Sequence, residues 1–376
     1  MIYTKASLGG IQTLKILVIN TIHFDLNGMS SVIMNYYKNM SNKRVKFDFV
    51  VNKYIDNSYY EDITKRGDHI YILNRNHNPV HYIRFIRSLD YMNKYDIVHI
   101  HGNSATMELE LFALKNSSSC KIVHSHGVNT QHPMIHKLLY PSFSKSYNIA
   151  FAASKSSGEW LFKDKKYEII NNGIDTDKFK YNSNLRKKMR DRYNLNGYFA
   201  LLHVGSFTEQ KNHNFLIELF YLYQKKHVHS KLILIGEGKL KKEILRKAKK
   251  LGILSKVLFI GNYHKVIDFY SCSDCLLFPS KFEPFGIVPL EAQCAGLPCI
   301  VSNVLPRGIN VTGNVKFLQL NINDWLTALE KLSPFSEQKR KGNYCEDVKD
   351  NGYDIHDNAA YLNDFFWCIK KNSIHG

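Results

Sequence analysis

No apolar run in this 376-residue chain approaches the roughly 20 residues that cross a bilayer. Near the start, Ile16-Leu17-Val18-Ile19 is too short for a signal-peptide core and reads as a first buried strand. Cysteine is scarce: the seven are odd in number and irregularly spaced, which excludes a disulfide framework and fits a reduced cytoplasm. The only close pair, Cys272 and Cys275, has no second CxxC beside it and reads as two core thiols. No internal repeat or low-complexity segment is present, so solenoid and fibrous architectures fall away. Carboxylates are in short supply, 33 against 51 Lys and Arg, and the net charge is +18. The excess is spread over the chain, with 23 basic against 15 acidic residues up to residue 180 and 28 against 18 beyond it. An anionic partner is implied, whether nucleic acid, membrane surface or phosphorylated small molecule. Nucleic acid is the weakest of the three, because the most basic stretch, Lys239 to Lys250, lacks interleaved aromatics and reads as a solvated helix face. No cluster of carboxylates or histidines has metal-ligand spacing apart from Asp175 and Asp177, so no metal site is expected.

What is abundant is apolar. Residues of that kind make up 44% of the chain and aromatics 13%, enough for a sizeable core. Short β-rich runs alternate with helical stretches, the pattern of parallel βαβ units. Candidate strands are Lys15 to Asn20, Val45 to Val51, Ile70 to Leu73, Ile97 to His101, Lys121 to Ser125 and Ile149 to Ala153. After the polar stretch Tyr181 to Asn196 a second series begins: Phe199 to Val204, Lys231 to Ile235, Val257 to Ile260, Cys275 to Phe278 and Pro298 to Val301. The fold class expected is α/β, with two Rossmann-like doubly wound domains facing a cleft. The expected division is 1–180, 181–354 and a C-terminal helix in 355–376 that packs back towards the first domain. Open parallel sheets bind ligands at the carboxyl ends of their strands. Such a layout serves many chemistries, so function has to come from local residues.

The richest stretch runs from Ser280 to Pro298. Gly286 allows close backbone approach, and Pro289 is tolerable only in a first helical turn, so a helix starts near Gly286. Its free N–H groups and positive dipole end suit a diphosphate. Glu291 then lies about 7 Å along the axis at 1.5 Å per residue, placed for a pair of hydroxyls such as a ribose carries. In Val204-Gly205-Ser206-Phe-Thr-Glu-Gln-Lys211-Asn212, Gly205 ends a strand and Lys211 opens the next helix, where an ammonium neutralises a leaving pyrophosphate. His124 and His126 alternate along a strand and point to one side. Asn27 and Gly28 come after strand one and open a helix.

The segment Glu283-Pro-Phe-Gly to Glu291, continued by Ala292 and Ala295-Gly296-Leu-Pro298, resembles the retaining family 4 glycosyltransferases of GT-B fold, like those of bacterial capsular, exopolysaccharide or O-antigen biosynthesis. The resemblance implies that Glu283 lies against the donor sugar, that Glu291 grips the ribose, and that the amides of Phe285, Gly286 and Ile287 meet sugar or phosphate oxygens. Gly205 to Asn212 resembles that family's G-R-x-x-x-x-K-N, with Ser206 standing where most relatives carry arginine. Gly236-Glu237-Gly238 resembles the donor-domain glycine loop, and Gly261-Asn262-Tyr263 the turn whose backbone reads the nucleobase. Asn171 to Asp175 resembles the interdomain link, which places Asp175 and Asp177 outside any metal site. Asn27 and Gly28 match the acceptor and diphosphate loop, and His126 a position near the reacting sugar, with His101 a weaker candidate.

The resemblance therefore implies an enzyme that moves a hexosyl or N-acetylhexosaminyl group, with retention and without metal or other cofactor. The donor is a nucleotide-diphosphate sugar, UDP favoured, and the acceptor a glycan, lipid-linked in many relatives. A cytoplasmic protein touching the anionic inner membrane face is expected, with Tyr82 to Arg87 as a candidate interfacial helix. A nucleotide-sugar epimerase or a retaining phosphorylase of the same fold, and a nucleotide-sugar-binding protein without turnover, are the alternatives.

Overall fold

The computed structural model describes residues 12–25, 28–40, 44–263, 265–283, 285–332, 340 and 342–374. They form two compact units, one holding the chain up to Gly173 together with everything from Ile355 onward, the other Ile174–Asp354. Each is built on its own parallel sheet.

In the first unit the strands are β1 (Leu14–Asn20), β2 (Val45–Asn52), β3 (His69–Leu73), β4 (Ile97–Gly102), β5 (Cys120–Ser125), β6 (Ile149–Ala152) and β7 (Glu168–Ile169). Their order is β3-β2-β1-β4-β5-β6-β7, so the direction of winding reverses between β1 and β4. In the second, β8 (Phe199–Val204), β9 (Ser230–Ile235), β10 (Val257–Gly261), β11 (Cys275–Phe278), β12 (Cys299–Ser302) and β13 (Val315–Leu318) are ordered β10-β9-β8-β11-β12-β13, with the reversal between β8 and β11. Helices cover both faces, which is why central strands such as Ile97–Gly102 and Cys275–Phe278 are buried along their whole length, the second reading as an unbroken apolar run. The two sheets are doubly wound, as the sequence pattern implies.

The chain leaves the first unit at Gly173, earlier than the expected boundary at residue 180. Ile174 forms a β-bridge with Asp354 and donates its N–H to the Tyr353 carbonyl at 2.8 Å, and Phe179 is buried in the second core. Residues 174–180 thus belong to the second unit. Gly173 is required there, since a Cβ would lie 2.7 Å from the Ile355 Cα. The polar stretch after Tyr181 is a helix, Ser183–Arg192, fastened by charge: Arg186 and Arg190 reach Asp274 at 2.6 and 3.3 Å.

The last helix, Ile355–Ile374, lies on the first unit against helix Gly28–Met40. Phe365 packs 5.6 Å from Phe151, and Lys370 pairs with Asp96 at 2.7 Å. The expectation of a wholly reduced set of cysteines is corrected in one place. Cys294 and Cys345 form a disulfide that ties the end of helix Ile287–Cys294 to helix Tyr344–Val348. Their separation of 51 residues carries no local pattern. Cys272 and Cys275 are free thiols in the core.

Candidate functional site

The reversal between β8 and β11 marks where a sheet of this order takes a ligand, because the helices after those two strands leave on opposite faces and open a crevice at their carboxyl ends. Both motif-bearing loops start there. The loop after β8 is joined to the loop after β11 by two hydrogen bonds, Lys281 N–H to the Gln210 carbonyl and the Gln210 amide to the Phe282 carbonyl, each 2.8 Å. They hold Lys211 and Glu283 as an ion pair, with only about 15% of either side chain exposed. Lys211 Nζ also sits 4.6 Å from the centre of the Phe278 ring. It lies in a 3-10 turn, Glu209–Lys211, and the next helix begins two residues later at His213, a correction to the expected helix start. Its stem packs on Gly205, where a Cβ would come within 3.2 Å of both the lysine and the buried His203 ring. Ser206 is exposed.

The carboxyl end of β9 closes over the same loop. Gly236 has a φ of 141°, and a Cβ there would sit 2.2 Å from the Gly205 carbonyl oxygen. Its N–H donates to the Gly261 carbonyl at 2.9 Å, which brings the turn at Asn262 alongside. Gly205, Gly236 and Gly261 therefore line up across the ends of β8, β9 and β10, a floor on which a flat or anionic group can settle, with the Lys211 side chain against Gly205 and the Glu237 carboxylate against Gly261.

From β11 the chain reaches Gly286, at a φ of 101°, and enters helix Ile287–Cys294 with Pro289 in its first turn. Pro284 lies outside the described residues. The Phe285 side chain turns into the core, 5.7 Å from the Tyr353 ring, so only its backbone is available to a ligand. Glu291 accepts a 2.6 Å hydrogen bond from the Tyr270 hydroxyl. Burial pushes the Glu291 carboxyl up to about 7, against the smaller opposing pull of that hydroxyl and of Lys178. Burial and the neighbouring carboxylate raise the Tyr270 phenol far beyond ionisation, so it remains the donor.

In the first unit, Asn27 lies outside the described residues, and Gly28 begins helix Gly28–Met40. His126 accepts or donates a 2.9 Å bond with His101, Nε2 to Nδ1. It belongs to a row: His99, His101, His124 and His126 all project from one face of β4 and the β5 end, and register pairs His101 with His124. Burial holds His99 and His126 down at about 3 and the other two well below the ordinary value, so the four rings are neutral. One nitrogen from each of His99, His101 and His124 lies within 4.8 Å of the others. The chain thus does assemble a histidine cluster, which its spacing does not announce. Asp175 is used otherwise: its carboxylate accepts the Lys178 N–H at 2.9 Å, and Asp177 is exposed.

Several residues behind this site carry no motif. Tyr270 reaches Glu291 from a neighbouring helix. Gln293, fully buried, clamps the loop after β12 by donating to the Ile309 carbonyl at 2.8 Å and accepting from Thr312 at 3.0 Å. A glutamine four residues after Pro289 on a short apolar helix is the one sign of it in the sequence.

Comparison with known proteins places both units. Residues 26–178 match the family described as Glycosyltransferase Family 4, and residues 186–351 match Glycosyl transferases group 1. The chain is 26% identical over 353 residues to the putative glycosyltransferase EpsF of Bacillus subtilis, covering 89% of this chain and 92% of that one. It is 22% identical to the UDP-Gal:alpha-D-GlcNAc-diphosphoundecaprenol alpha-1,3-galactosyltransferase of Escherichia coli, over 91% of this chain and 94% of the other. Among solved structures, Anabaena HepE in complex with UDP and glucose superposes with a TM-score of 0.74 at 15% identity, over 94% of this chain and all of that one.

Proposed function

Since the chain belongs to the family 4 glycosyltransferases of GT-B fold, we propose that it transfers a hexosyl or N-acetylhexosaminyl group from a UDP-sugar, with retention, to a hydroxyl of a lipid-linked glycan in surface-polysaccharide assembly. The observation that carries the proposal is the Lys211–Glu283 pair at the β8/β11 crevice, beside the backbone floor of Gly205, Gly236 and Gly261. UDP as the carrier is supported by HepE, whose structure holds UDP, and a lipid-linked acceptor by the E. coli relative.

On this reading the diphosphate lies against the start of helix Ile287–Cys294 and draws Lys211 away from Glu283. Helix amides and the ammonium then take up the charge that grows on the departing phosphate, so no metal is needed there. Glu283, released, accepts hydrogen bonds from donor-sugar hydroxyls, and Glu291 accepts them from the ribose. The departing β-phosphate oxygen takes the proton of the attacking hydroxyl on the same face of the sugar, which preserves the anomeric configuration. His126, neutral and fixed by His101, is a hydrogen-bond partner for a sugar hydroxyl rather than a cation. Ser206 leaves Lys211 as the side-chain cation of the β8 loop that meets the diphosphate.

Peripheral contact with an anionic membrane is part of the proposal. Helix Pro79–Asn93 buries Tyr82 and Ile86 and exposes Arg84 and Arg87 with Val80, Tyr91 and Met92. Helix Pro133–Ser146 supports the contact as well, exposing Met134, Ile135 and Leu138 beside Lys137. No helix among the described residues is long and apolar enough to cross a membrane.

A thermal-shift screen of nucleotide sugars tests the donor assignment. A UDP-sugar at 100 times its dissociation constant adds about 2.7 kcal/mol of stability. A shift with GDP- or ADP-sugars and none with UDP-sugars would overturn the choice of carrier.

A further inference from the structure

We propose that His99, His101 and His124 form a binding site for one imidazole-seeking divalent transition ion of the zinc class, set in the core of the first unit. Unmet hydrogen bonds are the first sign of it. The three residues are at most 5% exposed, and a neutral imidazole brings one N–H donor and one lone pair into that dry space. Both ring nitrogens of His124 and the Nε2 of His99 lack any partner among the described residues, which destabilises a buried polar group. The next strand repeats the pattern. Asn20, paired in register with His101, is 1% exposed and has neither its amide oxygen nor its nitrogen bonded. Apolar side chains at these positions would fill the same volume without that penalty.

Geometry points the same way. Successive outward positions on β4 and the register of β5 place the rings side by side, with centroids 4.0 Å apart for His99 and His101 and 5.2 Å for His101 and His124. The candidate ligand nitrogens already lie within 4.8 Å of one another. Ligands of a tetrahedral ion at about 2.0–2.1 Å lie somewhat over 3 Å from one another, so the rings would have to turn inward to hold it. His101 is oriented for this. Its Nδ1 bonds to His126, leaving Nε2 to coordinate, and a ligating imidazole is commonly fixed through its other nitrogen in this way.

A fourth position is at hand. The cluster borders a cavity of about 30 Å³, lined also by Tyr36, Leu362 and Phe366 and roomy enough for a water or hydroxide. A hydroxide there reduces the net charge that the core must hold, a need made sharper by the absence of a carboxylate from the ligand set. Three neutral imidazoles and one oxygen favour zinc, cobalt, nickel or copper over magnesium or manganese, which prefer oxygen ligands. The ion would tie β4 to β5.

Cobalt(II) is the probe, because a tetrahedral cobalt site absorbs strongly in the visible. Wild-type protein equilibrated with Co²⁺ should bind one equivalent with tetrahedral bands, which Zn²⁺ displaces. Zn²⁺ at 100 times its dissociation constant should raise the first unit's melting temperature by about 5 °C or more. His99→Gln/His124→Gln should lose the bands and the shift, while His132→Gln, at an exposed histidine, should keep both. Absence of tetrahedral bands and of a zinc-induced shift in the wild-type protein overturns the proposal, whatever the variants do. Equal bands in the folded double variant would assign the ion elsewhere and overturn it too. Neither readout involves sugar transfer, so the outcome stands apart from the proposed function.

Discussion

If Glu291 grips the donor ribose, its raised pKa must appear in the pH dependence of donor binding. Ribose hydroxyls donate, so they favour the ionised carboxylate. In the free protein that carboxyl titrates at about 7, because burial outweighs the Tyr270 hydroxyl and Lys178. At pH 6 about a tenth of the molecules carry the carboxylate, and at pH 8 about nine-tenths do. A donor that engages only the ionised form should therefore bind up to about tenfold more tightly at pH 8 than at pH 6, or about 1.4 kcal/mol. Calorimetric titration with an intact UDP-sugar is the suitable assay, since its diphosphate diester does not titrate in this range. Glu291→Gln should flatten the profile and weaken binding at pH 8 by about 1.5–3 kcal/mol, the size of a hydrogen bond to a charged group. The stability of the donor-free protein should run the other way. A carboxyl that holds its proton more tightly when folded stabilises the protein fully below its ordinary 4.5, and the contribution is lost as pH rises through about 7. Equal pH profiles for wild type and Glu291→Gln, with binding intact in both, would refute the ribose assignment.

Lys211→Ala should lower turnover at least about tenfold, a barrier increase of about 1.4 kcal/mol, in a protein whose circular dichroism is unchanged; near-normal turnover would mean another group neutralises the diphosphate. Ser206→Arg should be neutral or improve turnover, and a clear loss would show that the crevice is built differently. Transfer should persist in a chelator and gain nothing from added magnesium or manganese, whereas abolition by chelation with rescue by either ion would contradict the helix-and-lysine account of leaving-group stabilisation. The protein should co-sediment with anionic vesicles at low salt and release as salt rises, each basic residue at the surface contributing about 1 kcal/mol. Equal sedimentation with neutral vesicles would remove the membrane from the reading.

The sequence was most legible where one residue type is demanded by backbone geometry or by burial on both faces. Gly286 and Pro289 mark the helix start because glycine suits the positive φ and proline is tolerated in a first turn, where its missing N–H breaks no intrahelical bond. Strands such as Phe199–Val204 and Cys275–Phe278 show as apolar runs because helices cover both sides. Legibility fails where long-range pairing replaces local pattern. β13 is a four-residue edge strand with an exposed Lys316, and β7 has only two residues. Helix Ser183–Arg192 looks like a linker, since Arg186 and Arg190 anchor it through Asp274, more than 80 residues away. Tyr270 meets Glu291 only through tertiary packing. The histidine cluster needs the register of β4 against β5, which no spacing within either strand encodes.

The most direct test of the central claim is the stereochemistry of the product. The purified enzyme is supplied with an α-linked UDP-sugar and a lipid-diphosphate-linked sugar acceptor, and the anomeric proton coupling of the new linkage is read by NMR. The account predicts an α-linked product with release of UDP. A β-linked product, or a UDP-sugar epimerised at its own ring with no transfer, would contradict it.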